Sequence, residues 1–211
     1  MAVDQREAAK AVLAFLRALG RDPDRDEELR DTPSRVAEAW AKDLVDGYDV
    51  DVPALLGSES SPVPPASQGL VCVRGLSVAT ICPHHLLPAR GTGTVLYLPG
   101  PRIAGLGTLA RLVDAFGHRL TLQETIASEV ARALVQHLGA RGAACKLLLS
   151  HSCLTSRGQR QEGALVETIA FAGTFEHAGP DRDLALAALP DAAAKSHPSG
   201  CSEADPRGEG A

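Results

Sequence analysis

Apolar residues recur at helical spacing from Gln5 to Leu19, where Ala8, Val12, Phe15, Leu16 and Leu19 share one face. Asp4 and Glu7 have the spacing of a cap and its third helical position, and Gly20 suits an exit, so the pattern predicts a capped helix. A second helix is predicted from RDTPSRVAEAW onward: Thr32 caps, Pro33 suits the first turn, and Val36, Trp40 and Leu44 recur every fourth residue before Gly47. Together they read as an N-terminal helical unit over residues 1–48. From Val52 to Gln68 four prolines and several serines disfavour regular structure, so residues 49–68 read as a connection at the main domain boundary.

Beyond it the texture changes to short β-prone pieces, Leu70–Val73, Leu76–Ile81 and Thr92–Leu98, the last closed by Pro99-Gly100. Leu109, Leu112, Val113 and Phe116 then predict a short helix. Ile126, Val130, Ala133, Leu134 and Leu138 predict a longer one ending at Gly139. Thr121 and Glu124 stand at capping-box spacing before it. Two more apolar runs, Ala144–Leu149 and Ala164–Ala172, read as closing strands on either side of the polar loop SRGQRQEG. The order β, β, β, α, α, β, β predicts an α+β domain with a mostly antiparallel sheet over residues 69–178. Residues 179–211, rich in Ala, Pro, Gly and charge, offer little to bury and read as a largely disordered tail, with at most a helical turn around Leu184–Leu189.

Composition narrows the classes. The 211 residues are 45% hydrophobic and 22% charged, ordinary for a soluble globular protein. A net charge of −5 argues against a nucleic-acid or anionic-membrane partner, though a local basic pocket can still take a small anion. No apolar run approaches the roughly 20 residues that span a bilayer, and MAVDQREAAK lacks the pattern of a secretion signal, so a cytoplasmic protein is expected. Five cysteines in that setting suit metal binding or packing better than a disulfide framework. Cys72 and Cys145, in apolar stretches, read as packing; Cys201 has no assignable role.

The chemistry gathers in two short segments. ICPHHLLP sets Cys82 and His85 three positions apart, so one loop can deliver a thiolate and an imidazole to one ion, a donor pair suited to zinc. HSC sets His151 and Cys153 at spacing two after an apolar strand, where alternate side chains of an extended chain share a side. Cys82, His85 and Cys153 together leave the fourth tetrahedral position to water, as in a catalytic zinc site. His84 and His151 remain. They read either as proton carriers beside the metal or as a surface residue and a supporting hydrogen-bond donor.

Four blocks resemble the GTP cyclohydrolase I family: CPHHLLPARG its CEHHLLPFFG-type motif, RIAGLGTLARLVDAFGHRLTLQE its GLSKLARIV…RRLQVQE segment, HSCLTSRG its HMCMVMRG segment, and DTPSRVAEAW its DTPxRV helix. They stand in family order from about Val12 to Phe175. The resemblance implies the tunnelling fold, in which antiparallel sheets from several subunits close a barrel, two helices packed on one face of each. It also implies a homo-oligomer, commonly a decamer, with active sites at subunit boundaries. Position by position it implies Zn²⁺ on Cys82, His85 and Cys153, catalysis by His84 and His151, and guanine recognition by Glu124 with Gln123. Arg111 and Arg157 would contact the triphosphate of GTP, as would Thr108, which stands where the family has lysine. Arg119 matches too, without an assigned role. The activity implied is hydrolytic opening of the guanine imidazole ring, release of formate and rearrangement to 7,8-dihydroneopterin triphosphate.

Without the resemblance, Glu124 reads as the capping-box partner of Thr121, and the arginines as surface groups. Three departures, Pro83, Gly107 and Thr108, stand where the family has Glu, Ser and Lys, and alter the expected ribose and phosphate contacts. They leave open a paralogue that acts on another purine nucleotide or stops at ring opening. Two further readings are a non-catalytic zinc-binding oligomer and the fold-related nitrile reductase of the queuosine pathway.

Overall fold

The computed structural model describes residues 3–64 and 69–189. Helix α1 spans Gln5–Ala18, and the Asp4 carboxylate caps it by accepting from the backbone N–H of Arg6 and Glu7. Helix α2 spans Thr32–Ala39 and continues as a π-helical turn over Trp40–Leu44. Its cap position falls to Asp31, one residue before the expected Thr32, and Asp31 instead pairs with Arg35 at 3.0 Å. The apolar stripe of α1 is not fully covered, since Phe15 and Leu19 remain exposed.

The stretch expected to be an irregular connection is partly regular. Helix α3, Val52–Ser58, begins where Asp51 caps Ala54 N–H at 2.9 Å, and its Leu55 and Leu56 are buried in the main core. Pro53 sits in the first turn, the one place a helix tolerates proline, which is why the proline count misled. Strand β1, Ser60–Pro62, follows; residues 65–68 lie outside the described part.

The domain is built on strands β2 (Val71–Ile81), β3 (Pro88–Leu98), β5 (Gly142–His151) and β6 (Val166–Gly173) in the order β2-β3-β5-β6, all antiparallel. The two pieces expected around Val73 and Leu76 are one strand with a bulge between them, where Gly75 takes a φ of 72°. Strand β4, Arg102–Ala104, pairs with β1. Helices α4 (Leu106–Gly117) and α5 (Gln123–His137) cover one face of the sheet. Leu109, Leu112, Ile126, Val130 and Leu134 meet Val95, Tyr97, Cys145, Leu147 and Leu149 there, all at 0% exposure. Each such aliphatic burial stabilises the fold by about 1.5–3 kcal/mol.

Alternation sends the intervening residues to the other face. Lys146 pairs there with Glu167 at 2.9 Å, and Leu96, Leu98 and Ala144 join Phe175 and Ala185 in a second cluster. Ala185 belongs to helix α7, Pro180–Ala188, so the start of the expected tail is a packed element rather than free chain; residues 190–211 lie outside the described part. Among the described residues no helix is long and apolar enough to cross a membrane.

Candidate active site

Strand register brings the two chemical segments together. Ile81 at the end of β2 pairs with Pro88, and the next residue of β3, Ala89, pairs with His151 at the end of β5. The chain from Cys82 to Leu87 is therefore a tight loop at the end of the sheet where β5 also stops. Cys82 N–H donates to the Leu87 carbonyl and Leu86 N–H to the Cys82 carbonyl, both at 2.9 Å, with Leu86 in the left-handed region at φ 53°. His84 and His85 project from this loop into solvent, while Cys82 is 9% exposed.

Cys153 arrives differently from the expectation. The strand stops at His151, and Ser152–Thr155 form a single helical turn, α6, so His151 and Cys153 do not alternate along an extended chain. The turn still carries Cys153 to the loop. One donor atom from each of Cys82, His85 and Cys153 lies within 4.8 Å of the others, the one such trio of His, Cys, Asp or Glu among the described residues. Cys82 Sγ stands 4.0 Å from His85 Nδ1 and 3.9 Å from His84 Nδ1. A tetrahedral zinc with bonds of about 2.0–2.3 Å spaces its donors about 3.3–3.8 Å apart, so the trio needs only slight closure to hold one. Burial, and then the neighbouring Cys82, push the Cys153 thiol above its ordinary range, a cost that a bound cation reverses.

His151 is held by a residue whose sequence position suggested another task. Gln123 is 3% exposed, and its side-chain N–H groups donate to the carbonyls of Leu147 at 3.2 Å and Val166 at 2.9 Å. Its Oε1 thus faces His151 Nε2 at 2.7 Å, which makes that nitrogen the donor and leaves Nδ1 as the basic atom of a neutral ring. Burial lowers the His151 pKa, opposed by the Glu124 carboxylate, so the neutral form dominates near pH 7.

Glu124 itself is exposed in the first turn of α5. The capping box is absent: Leu122 holds the cap position and makes no side-chain cap bond. Arg157 reaches the cluster, with Nη1 3.1 Å from His85 Nε2. Arg111 and Thr108 are engaged elsewhere. Both meet Glu59, Arg111 as an ion pair and Thr108 through its hydroxyl at 3.0 Å, and Thr108 is 3% exposed rather than open to a phosphate. No periodicity or motif marked Glu59 in the sequence.

An α+β domain presenting a cysteine–histidine trio at the open end of its sheet, flanked by two more imidazoles and an exposed carboxylate, has the layout of an enzyme centre rather than of a sealed structural knot. The chain belongs to the GTP cyclohydrolase I family, whose model matches residues 8–189. It is 44% identical over 158 residues to a GTP cyclohydrolase 1 of Chromobacterium violaceum, covering 75% of each chain. It is 40% identical over 175 residues to one of Ralstonia nicotianae, covering 83% of this chain and 82% of that one. The solved structure of the archaeosine synthase QueF-Like in the apo form aligns with a TM-score of 0.42 and 18% identity over 51% of this chain and 96% of that one. The protein is therefore a GTP cyclohydrolase I-type enzyme on the tunnelling fold, which sets aside the reductase and the non-catalytic oligomer as readings.

Proposed function

We propose that Cys82, His85 and Cys153 hold Zn²⁺ and that the site opens the imidazole ring of GTP, releases formate and forms 7,8-dihydroneopterin triphosphate. The observation that carries this reading is the convergence of the donor trio with an imidazole whose basic nitrogen is left uncommitted. Bound zinc would supply a Lewis acid and a water whose pKa is lowered to about 7.

The chain's own groups do the rest. His151, neutral and oriented by Gln123, takes up a proton at Nδ1; His84, exposed beside Cys82, is the second proton carrier. Glu124 accepts the paired N–H groups of the guanine edge through both carboxylate oxygens. Gln123, with its amide committed to three partners, serves by holding His151 rather than by meeting the base. Arg157 is the phosphate contact nearest the cluster. If His85 ligates through Nε2, that lone pair is spent; if it ligates through Nδ1, Nε2 carries the proton. Either way the guanidinium loses its acceptor and is released toward an anion.

Arg111 and Thr108 face Glu59 within this chain, and the sheet ends on the open edges β2 and β6. The open edges suit a homo-oligomer of this chain, a decamer in the reading proposed, with sites at subunit boundaries. Zinc analysis tests the site. Wild type should carry about one zinc per chain, and Cys82→Ala and Cys153→Ser should lose it, because a three-ligand site cannot spare one. His151→Ala should keep the metal and lose about 10²- to 10⁴-fold in kcat. Full zinc in the cysteine variants, or normal turnover by His151→Ala, contradicts the assignment.

A further inference from the structure

The loop from His118 to Leu122, between α4 and α5, is gripped from the N-terminal side of the chain. Arg119 donates through Nε and Nη2 to the Gly47 carbonyl at 3.2 and 3.0 Å, and its guanidinium lies over the rings of Phe116 and Tyr48, 4.8 and 5.7 Å from their centroids. Leu120 N–H donates to Tyr48 Oη at 3.2 Å, and His118 Nδ1 meets Asp46 Oδ1 at 2.8 Å. Gly47 lies so close to the end of α4 that a Cβ there would stand 2.6 Å from the Ala115 carbonyl oxygen. The turn Asp46–Asp49 is therefore seated on the loop with no slack.

The same loop leads directly to the site. Leu120 forms a parallel bridge with Ile81, the residue before Cys82. Gln123, one residue beyond the loop, holds His151. The clamp and the two site contacts thus share five residues of backbone.

We propose that Arg119 is a positioning residue for the cyclohydrolase reaction: by clamping Gly47 it sets the height of the 118–122 loop, and with it the placement of Gln123 on His151 and of Ile81 beside Cys82. The proposal rests on the role assigned to His151 above. A shift of about 1 Å at a distance from the chemistry can cost on the order of 10²-fold in rate. Arg119→Ala should therefore lower kcat by about 10- to 100-fold with KM changed less than about threefold, at a temperature where the variant is folded. Arg119→Lys keeps the charge but loses the paired donation to one carbonyl, and should recover part of the rate.

A double-mutant cycle with Gln123→Ala separates positioning from mere support. Because Arg119 acts through both Gln123 and Ile81, the Arg119→Ala loss should be several-fold smaller in the Gln123→Ala background than in wild type. Losses that multiply, or an Arg119→Ala protein that melts lower yet turns over normally, overturn the proposal. Should Arg119→Ala fail to fold, Tyr48→Phe removes only the acceptor of Leu120 N–H and enters the same cycle, with a several-fold lower kcat expected; unchanged turnover there overturns it. Amide hydrogen exchange reads the clamp without activity. Arg119→Ala should speed exchange across 118–124 and 80–86, and acceleration confined to 45–49 overturns the proposal. If Gln123→Ala alone keeps wild-type turnover, the link from Arg119 through Gln123 is overturned, while turnover of His151→Ala decides the role of His151 separately.

Discussion

At the scale of single residues, Cys82, His85 and Cys153 bring one donor atom each within 4.8 Å of the others, and Gln123 holds His151 at 2.7 Å. Cys82, His85 and Cys153 were grouped in the sequence by their loop spacings together with the family resemblance, the spacing alone being a weak signal. Gln123 and Thr108 were singled out as substrate contacts, and their settings were not legible, because what each side chain meets depends on carbonyls and carboxylates brought from distant parts of the chain: Leu147 and Val166 for Gln123, Glu59 for Thr108. Cys145 illustrates the case where sequence sufficed. Its apolar run marked it as packing, and burial at 0% exposure pushes its thiol from an ordinary value of 9.0 up to about 12. Between those values the unfolded chain releases the thiol proton and the folded chain does not, so stability is unaffected below about pH 9 and falls as pH rises above it. One such group contributes a slope approaching about 1.4 kcal/mol per pH unit. Urea unfolding from pH 8 to 10.5 should show a steeper alkaline loss in wild type than in Cys145→Ala; parallel curves would mean that the thiol is not sealed in the core.

At the scale of elements, periodicity found the amphipathic pieces and missed those defined by what they pack against. The α4 and α5 patterns were clear because each buries a stripe of Leu, Ile and Val. Helix α3 hid behind its prolines, and the Thr121–Glu124 spacing suggested a cap that the chain does not use, since a capping signature competes with whatever else its carboxylate can do. Helix α7 was read as tail because its alanines offer little area. One of them, Ala185, is 0% exposed in the second cluster, and Arg182 ties the helix down by donating to the Phe175 carbonyl at 2.6 Å and stacking 4.3 Å over the Phe171 ring. Truncation after Ala178 should therefore uncover Leu96, Leu98 and Phe175 and cost about 2–4 kcal/mol. Compared by thermal melting with truncation after Leu189, which keeps α7, it should melt several degrees lower for a chain of this size; equal melting would show that α7 adds nothing to the fold.

At the scale of the whole molecule, fold class and the order of motifs followed from the sequence, because the α+β alternation and four linked blocks leave few alternatives. Strand register did not follow. It is the register that pairs Ile81 with Pro88 and Ala89 with His151, and so turns two segments some 70 residues apart in sequence into one centre. The direct measurement is the product formed from GTP by the purified, zinc-loaded protein. The account predicts formate together with a pterin that fluoresces after oxidation, in equal amounts and abolished by Cys82→Ala; formate without pterin, or GTP returned unchanged, would contradict it.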